Sequence, residues 1–160
     1  MQEKRTVSAG GALSLTISPD SYCYLNASNP VFVVQIANGD SVRNPSFTMI
    51  APTTGHVKSA SFISVPYYYM NNFIAVTILD EHFNTAQIQL DGSALNCAWR
   101  DIYNALNEEV GHGCTSSISA GPHIVTHTGD NGVLSVIAYG WSNLPAMGYA
   151  YLTNQDICKL

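Results

Sequence analysis

Along much of this chain, apolar residues either alternate with polar ones or gather in short runs rich in β-branched side chains. Residues 13–17, with Leu13, Leu15 and Ile17 apolar, have the period of two that is typical of a half-buried strand. Strands are predicted in this way at residues 13–17, 22–25, 31–37, 47–51, 62–66, 73–79, 87–90, around 118, at 124–125, at 133–139 and at 148–151. Turn residues separate these segments at the short intervals expected of a sandwich. The pattern predicts one all-β domain over residues 1–160, an antiparallel β-sandwich of jelly-roll type with about ten strands.

One segment has apolar residues at helical spacing. Trp99, Ile102 and Leu106 recur three or four positions apart, and Gly111 stands where a helix would end. A strand followed by a loop also fits the first half of this segment. We therefore expect at most one short helix, over residues 99–110.

The composition indicates a polar surface with few charges. Charged residues make up 11% of the chain and the formal net charge is −5, so nucleic acid is not an expected partner. No apolar run is long enough to cross a bilayer, so membrane insertion is not expected. The start of the chain lacks the apolar region of a signal peptide. We therefore expect a segment of a longer, multidomain chain.

The four cysteines are widely spaced and form no CxxC motif. An even number of cysteines and a polar, weakly charged surface favour two disulfides and an oxidising compartment, with four buried free thiols as the alternative. We predict that Cys97 pairs with Cys114 and that Cys23 pairs with Cys158. A bond between Cys23 and Cys97 would reverse this assignment. The interpretation implies an extracellular or secreted protein.

Asn26 begins the one usable N-glycosylation sequon, Asn-Ala-Ser, because proline occupies the middle of the sequon at Asn44. The sequon lies beside a turn at residues 29–30, where exposure is expected. We predict that Asn26 carries an N-glycan when the protein passes through a secretory pathway.

Five fragments of the chain match, in order, a pattern known from one domain family. They are Pro-Val-Phe-Val-Val-Gln at 30–35, Asn-Pro-Ser-Phe-Thr-Met-Ile-Ala-Pro at 44–52, Leu-Asp-Gly at 90–92 with the later Trp99, Gly-Pro-His-Ile-Val at 121–125, and Tyr-Gly-Trp at 139–141 with Gly-Tyr-Ala-Tyr at 148–151. Together they resemble the N-terminal domain family of IgG Fc-binding protein. The resemblance implies an extracellular domain of the kind found in mucus and adhesion proteins. The chain departs from the family pattern at Asn44, where an acid is usual, and after Tyr151.

No residues assemble into a recognisable catalytic or metal motif. His123 and His127 follow a Gly-Pro break, which favours a strand, and residues four apart in a strand stand too far from each other to share an ion. His112 and Cys114 could imitate a Cys–His pair, but Cys114 is better used in a disulfide. We therefore expect no catalytic residues, no metal and no cofactor.

Adjacent acids offer the remaining candidate chemistry. The neighbours Asp80 and Glu81, like Glu108 and Glu109, diverge in a strand or a helix and are expected to be solvated. The oxygen-rich segments 38–40 and 130–132 could ligate calcium, but both fit hairpin turns first.

Aromatic residues supply the candidate contact surface. We predict that the contact residues include Tyr67, Tyr68, Tyr69, Trp141 and Tyr149, with another protein or a glycan as the ligand. The alternative is that these rings fill the rim of the core. The preferred function is a non-catalytic extracellular binding or structural module of an adhesion, mucus or matrix protein. A lectin-like carbohydrate-binding module is the first rival, and a hydrolase with a site assembled from distant residues is the second.

Overall fold

The computed structural model describes residues 5–18, 21–37, 45–67, 70–143 and 146–153. Within these ranges the chain forms eleven strands. They are β1 (Val34–Ala37), β2 (Ser46–Met49), β3 (Ser59–Ser64), β4 (Asn71–Leu79), β5 (Ile88–Leu90), β6 (Ser93–Ala94), β7 (Arg100–Tyr103), β8 (Glu109–Ile118), β9 (Gly121–His127), β10 (Leu134–Asn143) and β11 (Ala146–Leu152). The helical elements of the described residues are single 3₁₀ turns at Thr53–Gly55, Asp80–His82 and Thr85–Gln87.

The strands form three antiparallel sheets. A five-stranded sheet has the order β11-β10-β4-β8-β7, and a four-stranded sheet has the order β3-β9-β5-β6. We call them the large and the small sheet. Strands β1 and β2 form a separate hairpin, and β2 contacts β11. The predicted all-β antiparallel sandwich is confirmed.

The core lies between the large and the small sheet. On β4, Ile74, Val76 and Ile78 are buried while their neighbours are half-exposed, so the even positions face inward. Strand β10 pairs with β4 in a register that adds Ala138, Val136 and Leu134 to the same face. The small sheet contributes Ala60, Phe62, Ile88 and Val125 to the same apolar cluster. This alternation fixes which side chains can reach a surface site.

The predicted disulfide between Cys97 and Cys114 is confirmed. Cys114 is buried on β8 opposite Val76, and its bond to Cys97 ties the segment before β7 to the core. Cys23 is exposed and outside any disulfide of the described residues. Cys158 lies beyond the described residues, so its pairing with Cys23 remains a prediction.

The helix predicted over residues 99–110 is wrong. The segment forms β7, a turn and the start of β8. The side chain of Asn104 explains the turn, because its Oδ1 accepts the backbone N–H groups of Leu106 and Glu108 at 2.8 and 3.0 Å. Asn107 then adopts a positive φ of 61°, which ends any helical path.

Two strand predictions near the start of the chain are also wrong. Residues 13–17 and 22–25 belong to no strand, and Leu13, Leu15 and Ile17 are exposed. In the run at 31–37 the strand begins at Val34, and all of its residues but the half-buried Val33 are exposed rather than buried. Alternation predicts a strand face, but a strand also needs a partner, and the hairpin β1–β2 lies outside the two main sheets.

Strand β10 runs on through Gly140, which the sequence suggested as its end. A Cβ at Gly140 would lie 2.7 Å from the Tyr149 ring and 2.6 Å from the Asn71 carbonyl oxygen. Glycine is therefore used here for close packing inside a continuing strand.

Candidate functional site

Among the predicted aromatic contact residues that the structure describes, Trp141 and Tyr149 do not share one face. Tyr67 lies in the loop after β3 with 42% of its surface exposed, while Tyr68 and Tyr69 fall outside the described residues. Trp141 and Tyr149 lie on neighbouring strands, but on opposite faces. Tyr149 pairs with Gly140 and so shares the inward face, whereas Trp141 points outward.

Trp141 belongs to an aromatic ladder on the outer face of the large sheet. Its ring stacks on Phe73 with centroids 4.5 Å apart and an interplanar angle of 10°. Tyr139 also stacks with Phe73, with centroids 5.5 Å apart, and lies 6.1 Å from the Trp141 ring. All three rings are half-exposed. We call Phe73, Tyr139 and Trp141 the outer ladder. Sequence reasoning placed Phe73 in a buried strand, although its odd position on β4 was the signal for the outer face.

Tyr149 and Tyr151 serve the fold instead. The Tyr149 hydroxyl donates to Asn72 Oδ1 at 2.6 Å, and the Tyr151 hydroxyl bonds both backbone groups of Ile63 on β3. The Tyr149 bond links β11 to β4 within the large sheet, and the Tyr151 contact joins the edge of the large sheet to the small one. Burial raises the pKa of the Tyr149 hydroxyl, as expected for a phenol held in an apolar setting. The two rings lie on one face of β11, with centroids 6.1 Å apart.

A Ser–His–Asp arrangement lies on the small sheet. His123 Nδ1 is 2.7 Å from Asp91 Oδ2, and Ser119 Oγ is 3.4 Å from His123 Nε2. Asp91 is positioned by the turn between β5 and β6, where Asp91 and Gly92 both have positive φ. Its other oxygen accepts the Ile124 N–H at 2.8 Å. The sequence alone could not predict that these three residues meet, because they come from separate turns and strands.

The His123 ring is held between two acceptors of the protein. Its Nδ1 lies 2.7 Å from Asp91 Oδ2, and its Nε2 lies 2.9 Å from the Ser119 carbonyl oxygen, closer than it lies to the Ser119 hydroxyl. A hydrogen on either ring nitrogen therefore has a protein acceptor. Desolvation raises the pKa of Asp91, but the hydrogen bonds from His123 and Ile124 outweigh it and hold that pKa below its usual value. The arrangement fixes the β8–β9 turn, where Ser64 Oγ also donates to the Ser119 carbonyl.

His127 is sealed inside the sandwich. Its Nε2–H donates to the His82 carbonyl oxygen at 2.7 Å, and its Nδ1 accepts the Gly129 N–H at 3.0 Å. A Cβ at Gly132 would lie 2.0 Å from Nδ1, so the glycine lets the loop close over the ring. His123 and His127 share one face of β9, and each ring is held by its own protein partners.

A third buried histidine meets carboxylates on both sides. His112 Nε2 is 3.1 Å from Asp80 Oδ1 and 3.1 Å from Glu109 Oε1, while its Nδ1 is 3.2 Å from Asp101 Oδ1. The His112 ring stacks on Phe83 with centroids 3.5 Å apart. We call Asp80, Glu109 and His112 the carboxylate–histidine cluster.

Partial desolvation, the hydrogen bond shared with Asp80 and the charge of Asp101 raise the pKa of Glu109. Asp80 and Glu109 are both exposed, as expected, and each also contacts the buried His112 ring. Asp80 and Glu109 meet because β4 ends where β8 begins, through the pairing of Leu79 with Gly111.

Asn26 is exposed, and its glycosylation stays a prediction. Among the residues that the structure describes, no helix has both the length and the apolar content needed to span a bilayer.

Comparison with known proteins assigns the chain to a family. A family model described as IgGFc binding protein matches residues 1–140. No curated protein matches the chain.

Proposed function

The chain belongs to the IgGFc binding protein family, and we propose that it is a non-catalytic extracellular module of an adhesion, mucus or matrix protein that binds another protein through the outer ladder. We further propose that the module is one domain over residues 1–160 within a longer chain. The Cys97–Cys114 disulfide supports an oxidising compartment.

The outer ladder is the observation that carries this proposal. Phe73, Tyr139 and Trp141 present three stacked, half-exposed rings on a rigid sheet rather than on a loop. Tyrosine and tryptophan side chains give a large contact area at a small cost in side-chain entropy. Rings held by stacking lose little further freedom on binding, which favours hot-spot behaviour.

The first experiment measures binding of an immobilised IgG Fc fragment, the ligand that the family's name suggests. We expect Trp141→Ala, alone and with Tyr139→Ser, to weaken binding at least tenfold, because central aromatic residues carry a large share of interface energy. Ile63→Ala is the matched control, since Ile63 is an exposed apolar residue on the small sheet. Equal binding by the wild type and the Trp141 variants would show that the contact surface does not include the outer ladder.

A glycan is the second candidate ligand, because stacked aromatic rings on a sheet also suit the apolar face of a sugar. A glycan array with the same variants separates the two ligands. Signals that depend on Trp141, combined with no Fc binding, would favour the lectin-like function. Tyr67, Tyr68 and Tyr69 remain proposed contacts at the loop after β3.

A further inference from the structure

The carboxylate–histidine cluster brings three donor atoms to one point at the end of the large sheet. Asp80 directly follows β4, while Glu109 and His112 lie near the start of β8. One donor atom from each residue lies within 4.8 Å of the other two. Only 5% of the His112 side chain is exposed, while the two carboxylates face solvent in part. The imidazole is thus fixed and the oxygens can be reached from outside.

Within the described residues, His112 Nε2 contacts no hydrogen-bond donor, and its neighbours are the carboxylate oxygens of Asp80 and Glu109. An ionised carboxylate only accepts hydrogen bonds, so the contact with Asp101 Oδ1 requires a hydrogen on Nδ1. In the neutral ring, Nε2 then has a lone pair that points at Asp80 Oδ1 and Glu109 Oε1, which are acceptors too. Three carboxylates therefore surround one imidazole, and its buried Nε2 faces two oxygens that accept hydrogen bonds when ionised.

A cation between these atoms resolves the conflict. We propose that Asp80 Oδ1, Glu109 Oε1 and His112 Nε2 bind a divalent transition metal of the Zn²⁺ type. Bonds of about 2.0–2.2 Å to nitrogen and oxygen place neighbouring donors roughly 3.0–3.5 Å apart in a tetrahedral or octahedral shell. Both measured distances from Nε2, 3.1 Å to each carboxylate oxygen, fall in that range.

The surrounding residues fit the same assignment. A metal-bound histidine usually donates its other ring N–H to a carboxylate, and Asp101 accepts from His112 Nδ1. Asp101 is itself held by the Tyr103 hydroxyl at 3.2 Å. Phe83 stacks on the ring and fixes its plane. An imidazole among the donors favours Zn²⁺ over Ca²⁺ and Mg²⁺, which prefer oxygen alone.

Three protein donors leave part of the coordination shell to solvent, since the carboxylates are partly exposed. The bound ion would join the end of β4 to the start of β8 and, through Asp101, to β7. It would also neutralise a concentration of negative charge at one end of the sandwich. This inference is independent of the outer ladder and of any ligand that binds there.

Isothermal titration of the full chain with ZnCl₂, after removal of metal with EDTA, tests the proposal. We expect one Zn²⁺ per chain and a melting temperature that rises with its concentration. Glu109→Gln should weaken binding at least tenfold, and Asp101→Asn about tenfold or more, as orienting partners of a metal-bound histidine do. Nitrogen-15 spectra should show Zn²⁺-dependent shifts at His112 Nε2.

Glu108→Gln is the matched control. Glu108 is the next carboxylate in the chain, but its side chain bonds Asn104 Nδ2 at 2.8 Å. Its variant should bind Zn²⁺ as the wild type does. Equal affinities of the Glu108 and Glu109 variants would overturn the proposal, because binding would then lie elsewhere. So would a folded wild type that binds no Zn²⁺, or one that binds Ca²⁺ in its place.

Discussion

His112 and His127 are both buried in the sandwich, at 4% and 2% exposure, yet their surroundings have opposite character. His127 has one acceptor and one donor, a carbonyl at Nε2 and an N–H at Nδ1, which matches a neutral ring. His112 has only acceptors, two at Nε2 and one at Nδ1. Burial therefore does not distinguish these two histidines, whereas the polarity of their partners does.

The two rings also differ in what packs around them. Glycines at 129 and 132 let the loop close on His127 so tightly that a methyl group would collide with the ring. His112 is covered on one face by Phe83, which itself meets Trp99 edge-on at 5.2 Å. The edge of His112 that carries Nε2 meets carboxylates that reach solvent. One site is sealed and the other is open at its polar edge.

Removing the disulfide should give the largest difference between the responses of the His112 site and the His127 site. Replacing Cys97 and Cys114 together with Ala should cost roughly 3 kcal/mol in unfolding free energy, the loop-closure value for a separation of 17 residues. The disulfide anchors the segment that carries Trp99, so the His112 ring signals should shift more than those of His127. Urea unfolding and histidine NMR measure the two effects. Equal shifts at both rings would contradict the comparison.

Gly132→Ala should disturb the sealed site instead. The new Cβ would lie 2.0 Å from Nδ1 of a ring that its hydrogen bond to His82 holds in place, so ring or loop must move. We expect a loss of about 1–3 kcal/mol, as for other overpacked cores. Asn131→Ala, at an exposed neighbour in the same loop, is the control. An unchanged midpoint in urea would show that the loop opens without cost.

Acid should weaken a third histidine contact, the pair of Asp91 with His123. Because the folded pKa of Asp91 is lowered, the pair stabilises the protein above the unfolded pKa of about 4 and loses that contribution as pH falls through the folded value. Asp91→Asn should therefore lower the melting temperature at pH 6, and the difference from wild type should shrink towards pH 3. Asp130→Asn serves as the surface control. A pH-independent difference would contradict this account.

Glu109→Gln should have the smallest effect on the metal-free protein. The raised pKa of Glu109 means that its ionisation is less favourable in the folded state, so the penalty begins as pH rises above the ordinary pKa of the unfolded chain and is complete above the raised folded pKa. In EDTA at pH 7 the variant should melt slightly above the wild type, and the two should coincide near pH 3. A variant that melts below the wild type at pH 7 would show that the carboxylate is well paired without a metal.

The sequence predicted the strands of the two main sheets better than their edges. The apolar run 73–79 lies in β4, and the predicted strand 62–66 overlaps the end of β3; each of these strands has one face on the core. The helical spacing of Trp99, Ile102 and Leu106 misled because tertiary contacts decide such a short segment. Trp99 packs on Phe83, and Leu106 is 75% exposed in a turn.

Which residues meet at each site depends on the pairing register of the strands, and this register cannot be deduced from one sequence. In the β10–β11 hairpin, position 140 pairs with 149, so Tyr149 shares a face with Gly140 and not with Trp141. Likewise, Asp80 and Glu109 are distant in sequence and meet only because β4 and β8 pair. Local spacing suggested the adjacent acids instead, and these cannot converge on one atom.

The Cys97–Cys114 bond also limits how far the chain can lengthen under mechanical load. If the module is pulled by its two ends within a longer chain, force passes through the sulfur bridge and bypasses the 17-residue separation that it closes. At about 3.3–3.6 Å per extended residue, roughly 55–60 Å of contour stays hidden until the bridge is reduced. The extensibility of such a chain would then depend on the redox state of its surroundings, with His112 and Trp99 inside the segment that stays slack.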